Sequence, residues 1–325
     1  MRAVVVDRLG IEPEALRVQE IDPPRIGPGE VLIEVRAAGC NFSDTLMLRG
    51  EYQVKPPLPF VPGGEVAGVV RAVGESVTRL AVGDRVLSRC GLGGFAERVA
   101  ARASMTWRIP EAMSFEAGAA LPTVYATSYA ALVLRAPLVA GETLLVHAAA
   151  GGVGLAAVQI GKALGARVIA TAGGPEKLEI ARRAGADVLI DYRHEDFVPI
   201  VMEQTGGRGA DVIYDSVGGD TTDRSLKCIA WNGRLLVIGF ASGTIPDVKL
   251  NRVLLKNVSL VGVHWSAYPE REPGAVDACF EGLFELGARG AIDPLISSRH
   301  PLEEAGVALR ALASRRTVGK VVLVP

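Results

Sequence analysis

The chain carries no excess charge of either sign, no closely spaced cysteines and no unbroken apolar run of membrane-spanning length. Each absence excludes something. Its 35 basic and 36 acidic residues leave a net charge of −1 over 325 residues. No basic block stands out, so binding to a nucleic-acid backbone, which needs clustered cations, is not expected. Cys40, Cys90, Cys228 and Cys279 lie far apart with no C-x-x-C, which argues against both a disulfide framework and a compact zinc knuckle. The mean hydropathy of +0.28 is high, but it comes from Ala, Val and Leu spread along the chain. Arg135 interrupts one apolar run, and His147 with its neighbouring glycines interrupts another, so no membrane span is expected. The N-terminus places Asp7 and Arg8 in what reads as its first strand and lacks a signal h-region. A cytoplasmic location is the expectation. Repeats and low-complexity tracts are absent.

What is present begins with Thr143–Gly154 (TLLVHAAAGGVG), a strand-like run entering a glycine turn and then a helix. Gly152 and Gly154 leave no side chain between backbone and ligand or between helix and sheet, and the free amides of a helix start face negative phosphates. Ala149 stands at the first glycine of the usual G-x-G-x-x-G, so the motif reads A-A-G-G-V-G. The context supports it. Val153, Ala156, Ala157, Ile160, Ala163 and Leu164 recur at helical spacing, and Arg167–Thr171 reads as the next strand. Ala150, Gly151, Gly152, Val153 and Gly154 are therefore the expected pyrophosphate site of a dinucleotide.

The length suggests two domains. The first ~120 residues are rich in Gly and Pro, with short β-branched runs at Ala3–Val6, Val31–Ala37, Val66–Val73 and Arg85–Ser88, the pattern of a partly antiparallel β-rich domain. From about Leu121 the texture changes. Runs at Leu144–His147, Arg167–Thr171, Val188–Asp191, Val212–Asp215 and Arg234–Ile238 alternate with helical segments, the sequence form of a doubly wound parallel sheet. Val258–Val263 is its sixth strand. Helices around Val276–Leu286 and Leu302–Ala313 and a strand at Lys320–Val324 are expected to return to the first domain, dividing the chain into 1–124 with 265–325, and 125–264. The fold class is α/β. Val258–Val263 is apolar and lacks the charges or prolines that protect a free edge, so a homodimer paired through this strand is expected.

Gly39-Cys40-Asn41-Phe42-Ser43-Asp44-Thr45-Leu46, the segment Pro56–Gly68, Gly83-Asp84-Arg85-Val86, the A-A-G-G-V-G turn and Gly239-Phe240-Ala241-Ser242-Gly243 together resemble the quinone oxidoreductase (zeta-crystallin-like) branch of the medium-chain dehydrogenase/reductase superfamily. The resemblance runs through Thr317-Val318-Gly319-Lys320 and so covers nearly the whole chain. It implies a β-rich GroES-like catalytic domain and a Rossmann domain. It also implies where the zinc ligands of the alcohol dehydrogenases would fall: Asn41, Gly64 and about Thr123, which are no plausible ligand set. The four-cysteine lobe of those enzymes has no counterpart, since Cys90 stands alone before Gly91. His147, His194, His264 and His300 are dispersed. No metal is expected.

NAD-specific relatives end the second Rossmann strand in an acid that bonds the adenosine ribose; here Ala172 stands there. Its absence, the room left by Gly173 and its neighbours, and the point charge of Lys177 favour NADPH, although Lys177 also fits an ordinary solvated helix cation. The resemblance adds Tyr192 and either Arg315 or Arg316 to the adenosine phosphate. It also places Asn41, Asp44 and Tyr52 in the cleft near the nicotinamide, with Asn41 and Tyr52 offering hydrogen bonds to an acceptor carbonyl or to the cofactor. Asn41 and Asp44 serve equally as caps of the helix that opens there, and Tyr52 as a loop aromatic. Thr127 and the Phe240-Ala241-Ser242 turn are expected against the cofactor at the carboxyl ends of the strands.

The expected activity is zinc-independent, NADPH-dependent hydride transfer to quinones or other α,β-unsaturated carbonyls, a small-molecule reaction. An enoyl-thioester reductase on the same fold and a cofactor-binding protein with little turnover are the alternatives. The physiological acceptor, the electron count per transfer and the proton donor are not written in the sequence.

Overall fold

Alternation builds the first half of the strand Glu30–Cys40: Val31, Ile33 and Val35 point inward between half-buried neighbours, and from Ala37 onward every residue is buried. This strand organises one of two units. The structure, a computed structural model, describes residues 1–12 and 15–325. One unit is Met1–Thr123 with Pro294–Pro325, and the other is Val124–Asp293. The chain runs through β1 (Arg2–Val5), β2 (Arg17–Glu20), β3 (Glu30–Cys40), β4 (Val66–Val73), β5 (Arg85–Ser88), β6 (Arg98–Arg102) and β7 (Thr106–Arg108). The second unit contributes β8 (Thr143–Val146), β9 (Arg167–Ala172), β10 (Val188–Asp191), β11 (Ala210–Asp215), β12 (Ile229–Val237) and β13 (Ser259–Gly262). The chain then returns to the first with β14 (Ile296–His300) and β15 (Lys320–Leu323).

In the first unit the sheet order is β14-β15-β3-β4-β5-β7, with β6 also on β3. Every pairing is antiparallel except β14 with β15. Val4, Ile33, Leu48, Val66, Val86, Phe95, Leu309 and Leu323 fill its core. This is the β-rich, GroES-like domain. The first strand ends at Val5, so Asp7 and Arg8 lie just beyond it rather than within it.

The second unit is a six-stranded parallel sheet in the order β10-β9-β8-β11-β12-β13. The first strand in sequence, β8, lies at the centre, and the order reverses between β8 and β11, where doubly wound sheets open a ligand crevice. Helices cover both faces, so strands such as β8 and β9 are apolar runs without alternation. Leu145, Ile169, Ile190, Ile213 and Leu235 form the core.

The second domain boundary falls at Pro294, not at 265. The helix Pro273–Ala288 stays with the Rossmann unit because it packs on the helix Ala126–Tyr129: Cys279 Sγ reaches the Ala126 carbonyl at 3.8 Å. Gln159 fixes the exit. Its Nε2 donates to the Asp293 carbonyl at 2.9 Å, and its Oε1 accepts from Asp293 N at 3.0 Å and from the Tyr125 hydroxyl at 2.7 Å. Phe115–Arg135 is one helical run long and apolar enough to cross a membrane by length, which the sequence alone had not suggested; 67% of its apolar window is buried inside the protein, the situation of a core helix.

Candidate functional site

The carboxyl ends of the central strands lie level. Val146 pairs with Ala170 and Tyr214, Ala172 with Asp191, and Asp215 with Val237. From β8 the chain turns through His147–Gly151 into the helix Gly152–Ala163. Ala148 takes a left-handed conformation (φ 51°) and its carbonyl accepts from Gly151 N at 2.9 Å. The same carbonyl passes so close to the helix that a Cβ at Gly154 would lie 2.3 Å from its oxygen; this is why position 154 needs glycine. The first amides of the helix have no partner within it by geometry, and they open at the switch point. Ser128 holds the helix Ala126–Tyr129 against this turn, its Oγ 2.9 Å from the Val153 carbonyl and 2.8 Å from the Tyr214 hydroxyl. Thr127 is the residue beside it, in a run where π-helical turns at Leu121–Tyr125 and Ala130–Arg135 flank a single α-turn. On the other side of the switch, Ala241 N donates to Ser216 O at 3.0 Å and Ser242 N to Val217 O at 2.8 Å. Phe240, Ala241 and Ser242 thus form a turn strapped to the end of β11.

His147 is a packed imidazole. Ser225 gives its hydroxyl hydrogen to the Thr221 carbonyl at 2.7 Å, so it accepts from His147 Nε2–H at 2.9 Å, and Nδ1 accepts from the Thr171 hydroxyl at 3.1 Å. Burial pushes its pKa down to about 4, with Asp215 opposing and Arg224 assisting, so the ring is neutral at physiological pH.

At the end of β9, Ala172 is buried where an acid would meet a ribose. Two polar side chains, Tyr192 and Arg193, stand against Gly173 and Gly174. A Cβ at Gly173 would lie 2.7 Å from the Tyr192 hydroxyl and 2.9 Å from Arg193 Nε, and one at Gly174 3.2 Å from an Arg193 terminal nitrogen. Asp191 braces the loop by accepting from Gly174 N and Arg193 N, each at 3.1 Å. Lys177 is half-buried, and burial first, then the nearby Arg193 charge, hold its pKa below the ordinary lysine value. Sequence reasoning named Gly173, Lys177 and Tyr192 but missed Arg193, whose only sequence signal is its place next to Tyr192. Arg315 and Arg316 are both exposed, just past the helix Ala305–Ala313 of the first unit.

In that first unit, β3 delivers Asn41 to the start of the helix Phe42–Leu48. Asp44 supplies the cap, its carboxylate accepting from Asn41 N at 2.8 Å. The Asn41 side chain is engaged elsewhere. Its Nδ2 donates to Glu65 Oε1 at 2.7 Å and its Oδ1 accepts from Lys320 Nζ at 2.6 Å, while Lys320 also meets Glu65 Oε1 at 2.5 Å. Glu65 Oε2 accepts from Thr123 N at 2.7 Å. Glu65 is 0% and Lys320 3% exposed. Gly39 makes room for this pair, since a Cβ there would fall 2.4 Å from Glu65 Oε1. Glu65 and Lys320 fall within motifs that carry the resemblance, but sequence reasoning gave neither a role at the site. Burial pushes the Asp44 carboxyl up to about 7 against the lowering by Asn41 N–H and Lys320, with Glu65 adding to the rise. Tyr52 packs, partly buried, against the core of this unit. The Arg89 guanidinium is held below its ordinary pKa by burial, with Tyr52 and Glu65 opposing that fall. Burial also pushes the Cys90 thiol up to about 12.

The three positions named for zinc ligands carry none of the usual zinc donors. Of the three positions, Gly64 has no side chain, Asn41 spends its amide on Glu65 and Lys320, and Thr123 offers a backbone N–H to the same carboxylate; none is a thiolate, imidazole or free carboxylate. Among the described residues no three of His, Cys, Asp and Glu gather to hold a metal ion.

Comparison with known proteins places these features. Residues 27–111 match the family model described as "Alcohol dehydrogenase GroES-like domain", and residues 152–281 the one described as "Zinc-binding dehydrogenase". The chain is 41% identical to a "Quinone oxidoreductase-like protein 2 homolog" of Nematostella vectensis, over 99% of this chain and 88% of the relative. It is likewise 41% identical to a "Quinone oxidoreductase" of Pseudomonas aeruginosa, over 96% of each. The crystal structure of Escherichia coli quinone oxidoreductase complexed with NADPH superimposes with a TM-score of 0.91 at 35% identity, over 100% of both chains. The chain therefore belongs to the quinone oxidoreductase (zeta-crystallin-like) branch of the medium-chain dehydrogenase/reductase superfamily.

Proposed function

We propose that the protein is a zinc-independent reductase that binds NADPH and reduces quinones or other α,β-unsaturated carbonyls. The observation that carries the cofactor assignment is the end of β9, where a buried Ala172 replaces the acid, Tyr192 and Arg193 stand against Gly173 and Gly174, and Lys177 lies near enough to Arg193 for its charge to act. A carboxylate there would repel a 2′-phosphate, and two cations with a phenol attract one. Ala150, Gly151, Gly152, Val153 and Gly154 take the pyrophosphate, Arg315 is a further cation for the adenosine phosphate, and Thr127, Phe240, Ala241 and Ser242 contact the cofactor at the strand ends. NADPH, when bound, supplies the hydride. The names of the relatives support the acceptor class, and the E. coli complex supports the cofactor.

The protein's own task is to orient the acceptor, exclude water and meet the negative charge that develops on its oxygen. A conjugated acceptor delocalises that charge, so hydrogen bonds from Asn41 and Tyr52 suffice without a Lewis acid. Asp44, with a pKa near 7, holds a proton over part of the physiological range beside Asn41. Removing the phenol hydroxyl with Tyr52→Phe lowers turnover by one to two orders of magnitude, roughly 1.4–2.7 kcal/mol, if it stabilises the oxyanion. An unchanged rate reduces Tyr52 to packing.

A homodimer through β13 belongs to the same proposal. This strand is the exposed edge of the sheet, with Leu260 38% exposed, and the preceding helix Leu250–Leu255 presents Leu250, Leu254 and Leu255 to solvent. Pairing with a second copy satisfies the edge and covers these leucines. A cytoplasmic location belongs to the same reading.

A further inference from the structure

Two buried charges and a carboxamide meet at the end of β3, and their chemistry fixes the orientation of the amide. An ammonium group only donates and a carboxylate only accepts. The Asn41 atom facing Lys320 Nζ at 2.6 Å is therefore its oxygen, and the atom facing Glu65 Oε1 at 2.7 Å its nitrogen. The reverse orientation sets an N–H against an ammonium and an oxygen against a carboxylate in a site where Glu65 is 0%, Lys320 3% and Asn41 7% exposed, so water cannot relieve either clash. Glu65 is itself anchored through Oε2 by Thr123 N–H. Lys320 is held by the sheet, because its strand β15 lies antiparallel to β3 with Val321 opposite Cys40. Of the two Nδ2 hydrogens one goes to Glu65, and the other is uncommitted among the described residues.

We propose that Glu65 and Lys320 are positioning residues that fix the orientation of the Asn41 carboxamide, its oxygen committed to Lys320 and one Nδ2 hydrogen to Glu65, so that Asn41 offers its ligand the remaining Nδ2 hydrogen as a donor. The group it meets is then an oxygen acceptor such as the carbonyl of an enone or quinone; this last identification rests on the reductase reading above. The pair holds a donor in place across the region where related enzymes carry a metal, without touching the acceptor itself.

Lys320→Met alone leaves Glu65 buried without its counter-charge and endangers folding. The Glu65→Gln/Lys320→Met double variant removes both charges together and is the useful perturbation. It is compared with the wild type in the presence and absence of Asn41→Ala, measuring kcat and KM separately with NADPH and an enone. With Asn41 present, kcat falls at least tenfold. In the Asn41→Ala background the same pair of changes costs less than twofold. An equal loss in both backgrounds makes the pair merely structural and overturns the proposal. A second readout needs no turnover. In the 1H–15N spectrum of perdeuterated protein, the Asn41 side-chain pair, identified by its loss in Asn41→Ala, shows one protected, downfield hydrogen in the wild type and loses that asymmetry in the double variant. An unchanged pair overturns the proposal. Should the wild type reduce no acceptor, the reductase reading fails while the spectrum still decides the positioning claim.

Discussion

Replacing Lys177 and Arg193 by alanine, singly, tests the cofactor site at its most specific point. Arg193 lies by Gly173 and Gly174, and its charge contributes to the lowered pKa of Lys177 on the helix that follows. Two mutually repelling cations held together in the free protein gain from a dianion placed between them. A hydrogen bond to a charged group contributes about 1.5–3 kcal/mol. Lys177 is only half-buried and Tyr192 is 53% exposed, so solvent screening brings the expected loss to about 1–2 kcal/mol for either substitution, or roughly 5- to 30-fold in Kd. NADH lacks the 2′-phosphate and should change less than about twofold. Fluorescence titration of both cofactors against each variant measures this directly. In the unmutated protein NADPH should bind at least about tenfold more tightly than NADH. Equal losses for the two cofactors would remove these side chains from the 2′-phosphate site, and a loss confined to Lys177→Ala would remove Arg193 alone.

Two further outcomes follow from the geometry. Asp44 has a folded pKa raised from 3.8 to about 7, so its contribution to stability is fully present below about pH 4 and is lost as pH rises through 7. A shift of about three units corresponds to at most about 4 kcal/mol. Urea denaturation of Asp44→Asn should lack this pH dependence, gaining stability relative to wild type between pH 5 and 8, and parallel pH profiles would contradict it. Light scattering at micromolar concentration should give the mass of a dimer, with Leu260→Lys shifting it toward monomer; a monomeric wild type would remove the β13 interface.

The parallel sheet was legible in the sequence because its strands are buried on both faces and read as apolar runs between glycine-rich turns. Val66–Val73, Arg85–Ser88 and Val188–Asp191 form as the sequence predicts. The second boundary was not legible. The helix Pro273–Ala288 carries an apolar stripe that does not name its partner in the sequence; its packing on Ala126–Tyr129, and the Gln159 bonds that hold Asp293 after it, keep it with the Rossmann unit. The same limit hid the ion pair, since Glu65 and Lys320 are separated by 255 residues and nothing local to either points to the other. Arg193 stayed hidden until the register of β10 against β9 brought Asp191 opposite Ala172 and its loop over Gly173. The glycine turn was legible because its chemistry is local: strand, turn and helix start are contiguous. Asn41 and Asp44, by contrast, allowed either capping or site chemistry from sequence: Asp44 accepts from Asn41 N at the helix start, and the Asn41 side chain bonds Lys320 and Glu65.

The measurement that bears most directly on the function is NADPH oxidation by the purified protein with a panel of small quinones, enones and saturated alcohol–ketone pairs, with and without a strong chelator. The account predicts turnover with conjugated acceptors at a rate that chelation leaves unchanged. It predicts poor reaction with saturated alcohols, because removing an alcohol proton as hydride leaves calls for a metal-bound alkoxide or a positioned base, and Asn41, Gly64 and Thr123 provide no zinc site. Alcohol oxidation that is lost on chelation and restored by zinc would contradict it.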